Sequence, residues 1–175
     1  MLTEKIKSVI RDIPDFPKPG IVFKDITPIL TDPQLVREII EGFSNELKDI
    51  SIDGIACIES RGFWFGTILA HHLMLPIIPI RKKGKLPYKT VSVSYELEYG
   101  SETLEAHEDS IIEGHNILIH DDVLATGGTA EATARLIQES GGTVAGFSFL
   151  VDLTFLKGRE KLVGTSDKIV SLVEY

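Results

Sequence analysis

Residues 117–129 read Ile117-Leu118-Ile119-His120-Asp121-Asp122-Val123-Leu124-Ala125-Thr126-Gly127-Gly128-Thr129. An apolar strand runs into two adjacent carboxylates, a loop of small residues follows, and a helical pattern begins near Thr129 or Ala130. A buried strand that turns through glycines into a helix is the building unit of a parallel α/β sheet. The same order of parts suits a phosphorylated sugar. Gly127 and Gly128 have no Cβ, so their backbone can take positive φ and approach a ligand closely. Successive N–H groups there, with the helix start behind them, form a concave anion site to which Thr126 and Thr129 add hydroxyls. One helix terminus favours a nearby negative charge by about 0.3–1 kcal/mol, rising to about 2 when partly buried, so a phosphate needs several converging donors. Asp121 and Asp122 repel a phosphate and suit the hydroxyls of a ribose, which donate to ionised carboxylates. No Gly-Lys-Ser/Thr ends the loop, which sets aside a Walker-type site. An ordinary βα loop with a solvated acid pair shares the glycines but not the whole ordered string.

On both sides of this stretch, strand and helix signals alternate. Strands are predicted near 53–58, 77–80, 115–120, 143–151 and 167–173, and helices near 62–73 and 129–140, the latter closed by Gly141-Gly142. Leu2, Ile6, Val9, Ile10 and Ile13 form one helical stripe, so the chain opens with an amphipathic helix ended by Pro14, Pro17 and Pro19. Asp32 as N-cap and Pro33 at the first helical position predict a helix over 33–48. The pattern predicts a mostly parallel twisted sheet covered by helices on both faces. One segment departs from it. From Thr90 to Tyr99 polarity alternates strictly, Gly100-Ser101 suits a two-residue turn, and 102–107 return. This is an inserted antiparallel hairpin, incompletely packed, and either a bland sheet edge or a lid.

A chain of 175 residues with 43% hydrophobic content can bury one substantial core, and a single domain is expected. The formal charge of −8 disfavours nucleic acid as the main partner. Positive charge is nevertheless clustered at Arg81, Lys82, Lys83 and Lys85, which asks for a local anion or is simply solvated. The single Cys57 permits no internal disulfide, and its apolar neighbours Ile55, Ala56 and Ile58 make it a small buried residue. Charges interrupt the N-terminal stripe, so no signal peptide is expected, and no run of eighteen apolar residues predicts a membrane span. A cytoplasmic protein is the simplest expectation. The histidines have no ligand-like spacing, and no protein-held metal is assigned.

The 117–129 string resembles the motif with which type I phosphoribosyltransferases bind 5-phosphoribosyl 1-diphosphate (PRPP). Phe16-Pro17-Lys18-Pro19-Gly20-Ile21-Val22-Phe23-Lys24-Asp25-Ile26 looks like the base-binding segment of the adenine phosphoribosyltransferases. Glu59-Ser60-Arg61-Gly62-Phe63, the stretch Arg81 to Pro87, Leu97-Glu98-Tyr99-Gly100, and the stretch Leu153 to Leu162 fit the same family in the same order. The resemblance implies the type I fold with a lid hairpin over about 86–107 and a small base-binding hood from 1–32 and 152–175. It implies purine salvage: transfer of the phosphoribosyl group of PRPP to adenine, giving AMP and pyrophosphate, with Mg²⁺ bound mainly through PRPP or pyrophosphate. Another purine (hypoxanthine, guanine or xanthine) or a non-catalytic PRPP-sensing regulator are the alternatives.

Residue roles carried over on matching positions follow the same resemblance. Asp121 and Asp122 would bind the ribose hydroxyls, and Ala125, Thr126, Gly127, Gly128 and Thr129 the 5′-phosphate. Phe23 would stack on one face of the purine with Leu153 against the other, and backbone atoms of Val22 and Lys24 would read its edge. Ser60, Arg61, Arg81, Lys82 and Lys85 would bind pyrophosphate, and the Glu59–Ser60 peptide would be cis. The family equivalent of Arg81 reaches a neighbouring subunit, which implies a homodimer. Glu98, beside Tyr99 on the lid, would act at the purine imidazole edge; strand pattern alone makes Glu96 an equal candidate. His120 stands where an aliphatic residue is usual and could tune the neighbouring aspartates, and Lys24 where arginine is frequent.

Overall fold

The computed structural model describes residues 1–97 and 100–175, with the backbone alone of Leu97. Five strands pair in parallel at its centre: β3 (Gly54–Ile58), β4 (Ile77–Lys82), β7 (Asn116–Leu124), β8 (Thr143–Asp152) and β9 (Ile169–Glu174). The hairpin β5 (Thr90–Leu97) and β6 (Gly100–His107) adds antiparallel strands at one edge, giving the order β5-β6-β4-β3-β7-β8-β9. Every residue of β3 is buried, as expected of a strand covered on both faces. On one face α1 (Leu2–Val9), α2 (Pro33–Leu47) and α3 (Gly62–Leu73) close a core around Phe43, Phe65, Leu69 and Leu118. On the other, α4 (Gly128–Glu139) packs Ala130, Ala134 and Ile137 over Ile58, Ile119 and Phe147. The α2 N-terminus forms as its sequence dictates: the Asp32 carboxylate accepts from the backbone N–H groups of Gln34 and Leu35, both at 3.0 Å.

Four expectations change. The first helix stops at Val9, and Arg11–Pro14 is strand β1, paired antiparallel with β2 (Val22–Asp25). Pro14 disfavours helix at Ile13, and the partner strand supplies the hydrogen bonds that a helical continuation would have made. The central strand β7 runs on to Leu124, so Asp121 and Asp122 are strand residues and not the start of a loop; Val123 pairs with Val151 of the equally long β8. Register pairs Glu96 with Ser101 and Leu97 with Gly100, so Gly100-Ser101 opens β6 and does not form the turn. The hairpin stem is also better packed than the alternation suggested, with Val93, Leu104 and Ala106 buried and the Arg135 side chain of α4 donating to the Ser94 carbonyl at 2.6 Å.

The two ends of the chain meet. Thr3 donates to the Leu172 carbonyl at 3.1 Å, and the Lys24 ammonium lies 3.9 Å from the centre of the Tyr175 ring. Lys24 also pairs with Asp12 at 2.7 Å. The N-terminal segment thus packs against the last strand and the C-terminal Tyr175.

Packing between α3 and the sheet depends on one small residue. A Cβ added to Gly66 would lie 2.4 Å from Cys57 Sγ and 3.0 Å from His120 Cδ2. Overpacking of this kind costs about 1–3 kcal/mol. Gly66→Ala is expected to lower Tm by that equivalent in thermal unfolding, and adding Cys57→Ala is expected to recover most of the loss. A single variant as stable as the parent would show that the helix shifts freely.

Candidate active site

Strand β7 delivers Asp121 and Asp122 to the carboxyl edge of the sheet, where open α/β folds bind ligands. Asp122 is buried, and its Oδ2 lies 2.9 Å from Arg61 Nε without a well-directed hydrogen bond. Asp121 Oδ1 accepts from the Asp122 backbone N–H at 2.9 Å. Burial, and then the charge of Asp122, push the Asp121 carboxyl well above the usual range; burial also raises Asp122 while Arg61 opposes the rise. The N-terminus of α3 offsets part of this cost. It comes close because residue 62 is glycine: a Cβ there would lie 2.9 Å from Asp121 Oδ1 and 3.1 Å from the His120 carbonyl oxygen.

Beneath the pair, His120 is fully buried, accepts or donates at Ser148 Oγ across 2.9 Å, and meets the Phe43 ring edge-on at 5.4 Å between centres. Burial holds its pKa down at about 3, so the ring is neutral and adds no charge beside the aspartates. Cys57, also buried, is pushed up to about 12 and is an unreactive thiol.

The loop after β7 has the conformation its glycines predict. Gly127 takes φ +79° as N-cap and α4 begins at Gly128. Thr126, Gly127, Gly128 and Thr129 line a hollow of about 70 Å³. It adjoins a cavity of about 400 Å³ lined by Val22, Phe23, Lys24, Arg61, Lys82, Asp121, Asp122, Ala125, Thr129 and Leu153. Most of the predicted residues therefore share one site. Phe23 and Arg61 meet directly, the guanidinium 4.8 Å from the ring centre, a cation–π distance. Leu153 is positioned from below, its N–H donating to the Leu124 carbonyl at 2.9 Å. The Glu59–Ser60 peptide is cis.

Three predicted residues, Ser60, Arg81 and Lys85, line neither hollow. Arg81 donates to Glu59 Oε2 at 2.8 Å and to the Lys85 carbonyl at 3.1 Å. Glu98 and Tyr99 lie outside the described residues.

Several residues went unread in the sequence. Glu105, buried, accepts from the backbone N–H groups of Lys85 and Leu86 at 3.0 and 2.9 Å and so shapes the basic loop. Lys161 Nζ comes within 4.0 Å of where a Gly128 Cβ would sit. Gly158 backs the glycine loop: a Cβ at Gly127 would stand 2.5 Å from the Gly158 carbonyl oxygen, and one at Gly158 2.3 Å from that of Ala125. Arg159, next in sequence, pairs with the buried Asp152 and donates to Ser171 Oγ at 2.6 Å, locking this return segment onto β9. Tyr95 and Glu102 of the hairpin also face the cavity. The Tyr95 hydroxyl stands 3.1 Å from both Glu102 Oε2 and Thr129 Oγ1, and Glu102 Oε1 lies 2.5 Å from Lys82 Nζ. Only a Lys/Glu spacing across a known register would have revealed these contacts.

An acid pair, a glycine loop and a basic edge thus meet at the carboxyl edge of a parallel sheet. The model of the phosphoribosyl transferase domain family matches residues 25–170, and the chain belongs to that family. Its relatives place it among the adenine phosphoribosyltransferases. It is 54% identical to the adenine phosphoribosyltransferase of Cytophaga hutchinsonii over 100% of this chain and 97% of that protein. The crystal structure of the Thermoanaerobacter pseudethanolicus enzyme superposes with a TM-score of 0.95 at 50% identity, covering 100% of both chains. The Saccharomyces cerevisiae enzyme, complexed with D-2,5-dideoxy-2,5-imino-altritol 1,6-bisphosphate and adenine, superposes at 0.91 with 36% identity and 98% of both chains covered.

Two outcomes are expected from the carboxylates. A carboxyl whose folded pKa is raised costs stability once pH exceeds its ordinary value, 3.8 for Asp121. Asp121→Asn should therefore raise Tm at pH 7 by about 2–4 °C, the shift that ~1 kcal/mol gives a domain of this size. The gain should fade towards pH 4, while PRPP binding is lost. Glu105 behaves oppositely: burial alone would raise it, but the N–H groups of Leu86, Gly84 and Lys85 lower it on balance. Its contribution is present above the ordinary value of 4.5 and fades as pH falls through the folded value. Glu105→Gln should cost about 1–3 kcal/mol at pH 7, with the two unfolding curves converging in acid; a constant gap across pH would refute the charge-based role.

Proposed function

We propose that the chain catalyses attack of adenine N9 on C1 of PRPP, releasing pyrophosphate and forming AMP in purine salvage. The observation that carries this reading is that the acid pair, Phe23 and Leu153 line one cavity, which adjoins the hollow formed by the glycine loop. The carboxylates would hold the ribose hydroxyls, while the loop N–H groups and the hydroxyls of Thr126 and Thr129 take the 5′-phosphate. Phe23 and Leu153 would sandwich the flat base, with backbone atoms of Val22 and Lys24 choosing an amino-purine over an oxo-purine. Arg61, which lies between Phe23 and Asp122, would swing to the diphosphate when the sugar takes its place at the acids.

Lys82, with Ser60, Arg81 and Lys85 behind it, would neutralise the leaving group. Mg²⁺ would be carried in on the diphosphate, as an ion usually held by substrate phosphates together with one or two carboxylates. When bound it supplies charge neutralisation to the departing diphosphate. The sugar would develop oxocarbenium character, stabilised by surrounding charge and not by a covalent bond to protein. Glu98 would stabilise or accept the proton at the imidazole edge, and the tip of the hairpin with Tyr99 would exclude water.

A homodimer is part of the proposal, supported by the exposed Ile68 and Met74 on and beside α3. So is a cytoplasmic location, which suits a lone buried thiol; among the described residues no helix is long and apolar enough to cross a membrane.

Incubation with PRPP, Mg²⁺ and each purine base, read out as nucleotide by chromatography, should yield AMP from adenine far faster than product from hypoxanthine, guanine or xanthine. Preference for another base would reassign the substrate, and tight PRPP binding without any nucleotide would indicate a sensor. Removing one preorganised electrostatic partner typically costs roughly 10²–10³ in turnover. Glu98→Ala is expected to lose that much in kcat with PRPP affinity nearly unchanged, measured by steady-state kinetics and calorimetry.

A further inference from the structure

Four side chains run in a line across the cavity wall between the two places where phosphate charge would sit. Thr129, at the start of α4, meets the Tyr95 hydroxyl at 3.1 Å. Tyr95 meets Glu102 Oε2 at 3.1 Å, and Glu102 Oε1 meets Lys82 Nζ at 2.5 Å. The line is built into the sheet, because Tyr95 and Glu102 are cross-strand partners and Lys82 pairs with Leu104, two residues further along β6. Arg135 holds β5 against α4 at Ser94. All four members line the same cavity, so a negatively charged carboxylate faces a site that must take a highly charged anion. Repulsion from that carboxylate is a cost that a site built only to bind would avoid.

We propose that Glu102 is a built-in competitor of the diphosphate for Lys82, and that Tyr95 sets the strength of the competition by dividing the carboxylate between two donors. This rests on the assignment of Lys82 to the diphosphate. Two acceptor oxygens of Glu102 are matched to two donors, the Lys82 ammonium on Oε1 and the Tyr95 hydroxyl on Oε2. The tyrosine has a single proton, so donation to Glu102 leaves Thr129 as the donor to Tyr95. A diphosphate that takes Lys82 must break the ion pair and leave Glu102 facing it across the cavity. When the diphosphate becomes a free product, Lys82 has a ready partner to return to, which shortens the product's residence. Glu102 is thus a positioning residue for product release and makes no contact with the reacting atoms.

The signs of two substitutions differ and separate this role from damage to the fold. Glu102→Gln removes the competing charge, so magnesium pyrophosphate should bind about three- to tenfold tighter. Its inhibition constant in the forward assay should fall by the same factor, with KM for adenine unchanged. A misfolded site does not gain affinity. Tyr95→Phe leaves both carboxylate oxygens to Lys82, so pyrophosphate should bind more weakly than to the parent. The double variant should behave like Glu102→Gln.

Isothermal titration of the full chain with magnesium pyrophosphate, joined to product-inhibition kinetics, decides the matter. Lys82→Ala is the control on the underlying assignment: if it leaves pyrophosphate affinity unchanged, the diphosphate site lies elsewhere and that reading fails. If Lys82→Ala weakens binding but Glu102→Gln does not tighten it, the site stands and the competition is refuted.

Discussion

Two adjacent carboxyl groups at the end of the central strand carry charge into a place where burial opposes it, and much of the surrounding structure answers that cost. Asp122 draws the Arg61 guanidinium to 2.9 Å. The N-terminus of α3 is brought against Asp121 by a glycine that no larger residue could replace without a shift. Neutral His120 and the small Gly66 let the helix and sheet close tightly below. A buried acid pair of this kind is expensive to maintain, which is the usual relation between a functional site and the stability of its scaffold. The position of the pair is fixed by the sheet and not by a loop. β7 remains hydrogen-bonded to β8 past both aspartates, so their orientation shares the rigidity of the core.

The basic edge is organised by the same logic with opposite sign. Lys82 and Arg81 are each matched to a glutamate, Glu102 and Glu59. The loop that follows them is folded around the buried carboxylate of Glu105. Arg61 is likewise partnered, between an acid and an aromatic ring. Cations that would serve a diphosphate are thus kept in place by internal acids. An acidic protein can in this way present a local anion site without a large positive field.

What the sequence revealed and what it hid follow from the range of the interactions involved. Parallel strands, α2 with its Asp32 cap, and the glycine loop are dictated by neighbours within a few residues, and all but β7 formed close to their expected limits. The segment after Val9 did not, because Ile10 and Ile13 continue a helical stripe while the competing partner, β2, lies beyond a proline-rich turn. The acids looked like the end of a strand because polarity usually marks one; the long β8 alongside overrides that signal. The acid pair was legible from its own chemistry and Lys82 from the clustering of positive charge, whereas Phe23 and Arg61 were assigned from family resemblance; all share a cavity. Tyr95, Glu102, Glu105 and Gly158 were invisible for a different reason. Their roles arise from cross-strand register and from close backbone approach, neither of which is written in any single stretch.

The back-to-back contact of Gly127 with Gly158 has an implication for how such an enzyme can change. The segment that carries Leu153, the proposed wall for the base, returns directly behind the glycine turn proposed to hold the phosphate. On the proposed reading, base choice and phosphate grip would therefore be mechanically coupled in this scaffold. Grafting the corresponding segment from a relative with another purine preference would transplant a new wall only if its two glycines came along, since any side chain at either one would displace the cup it leans on.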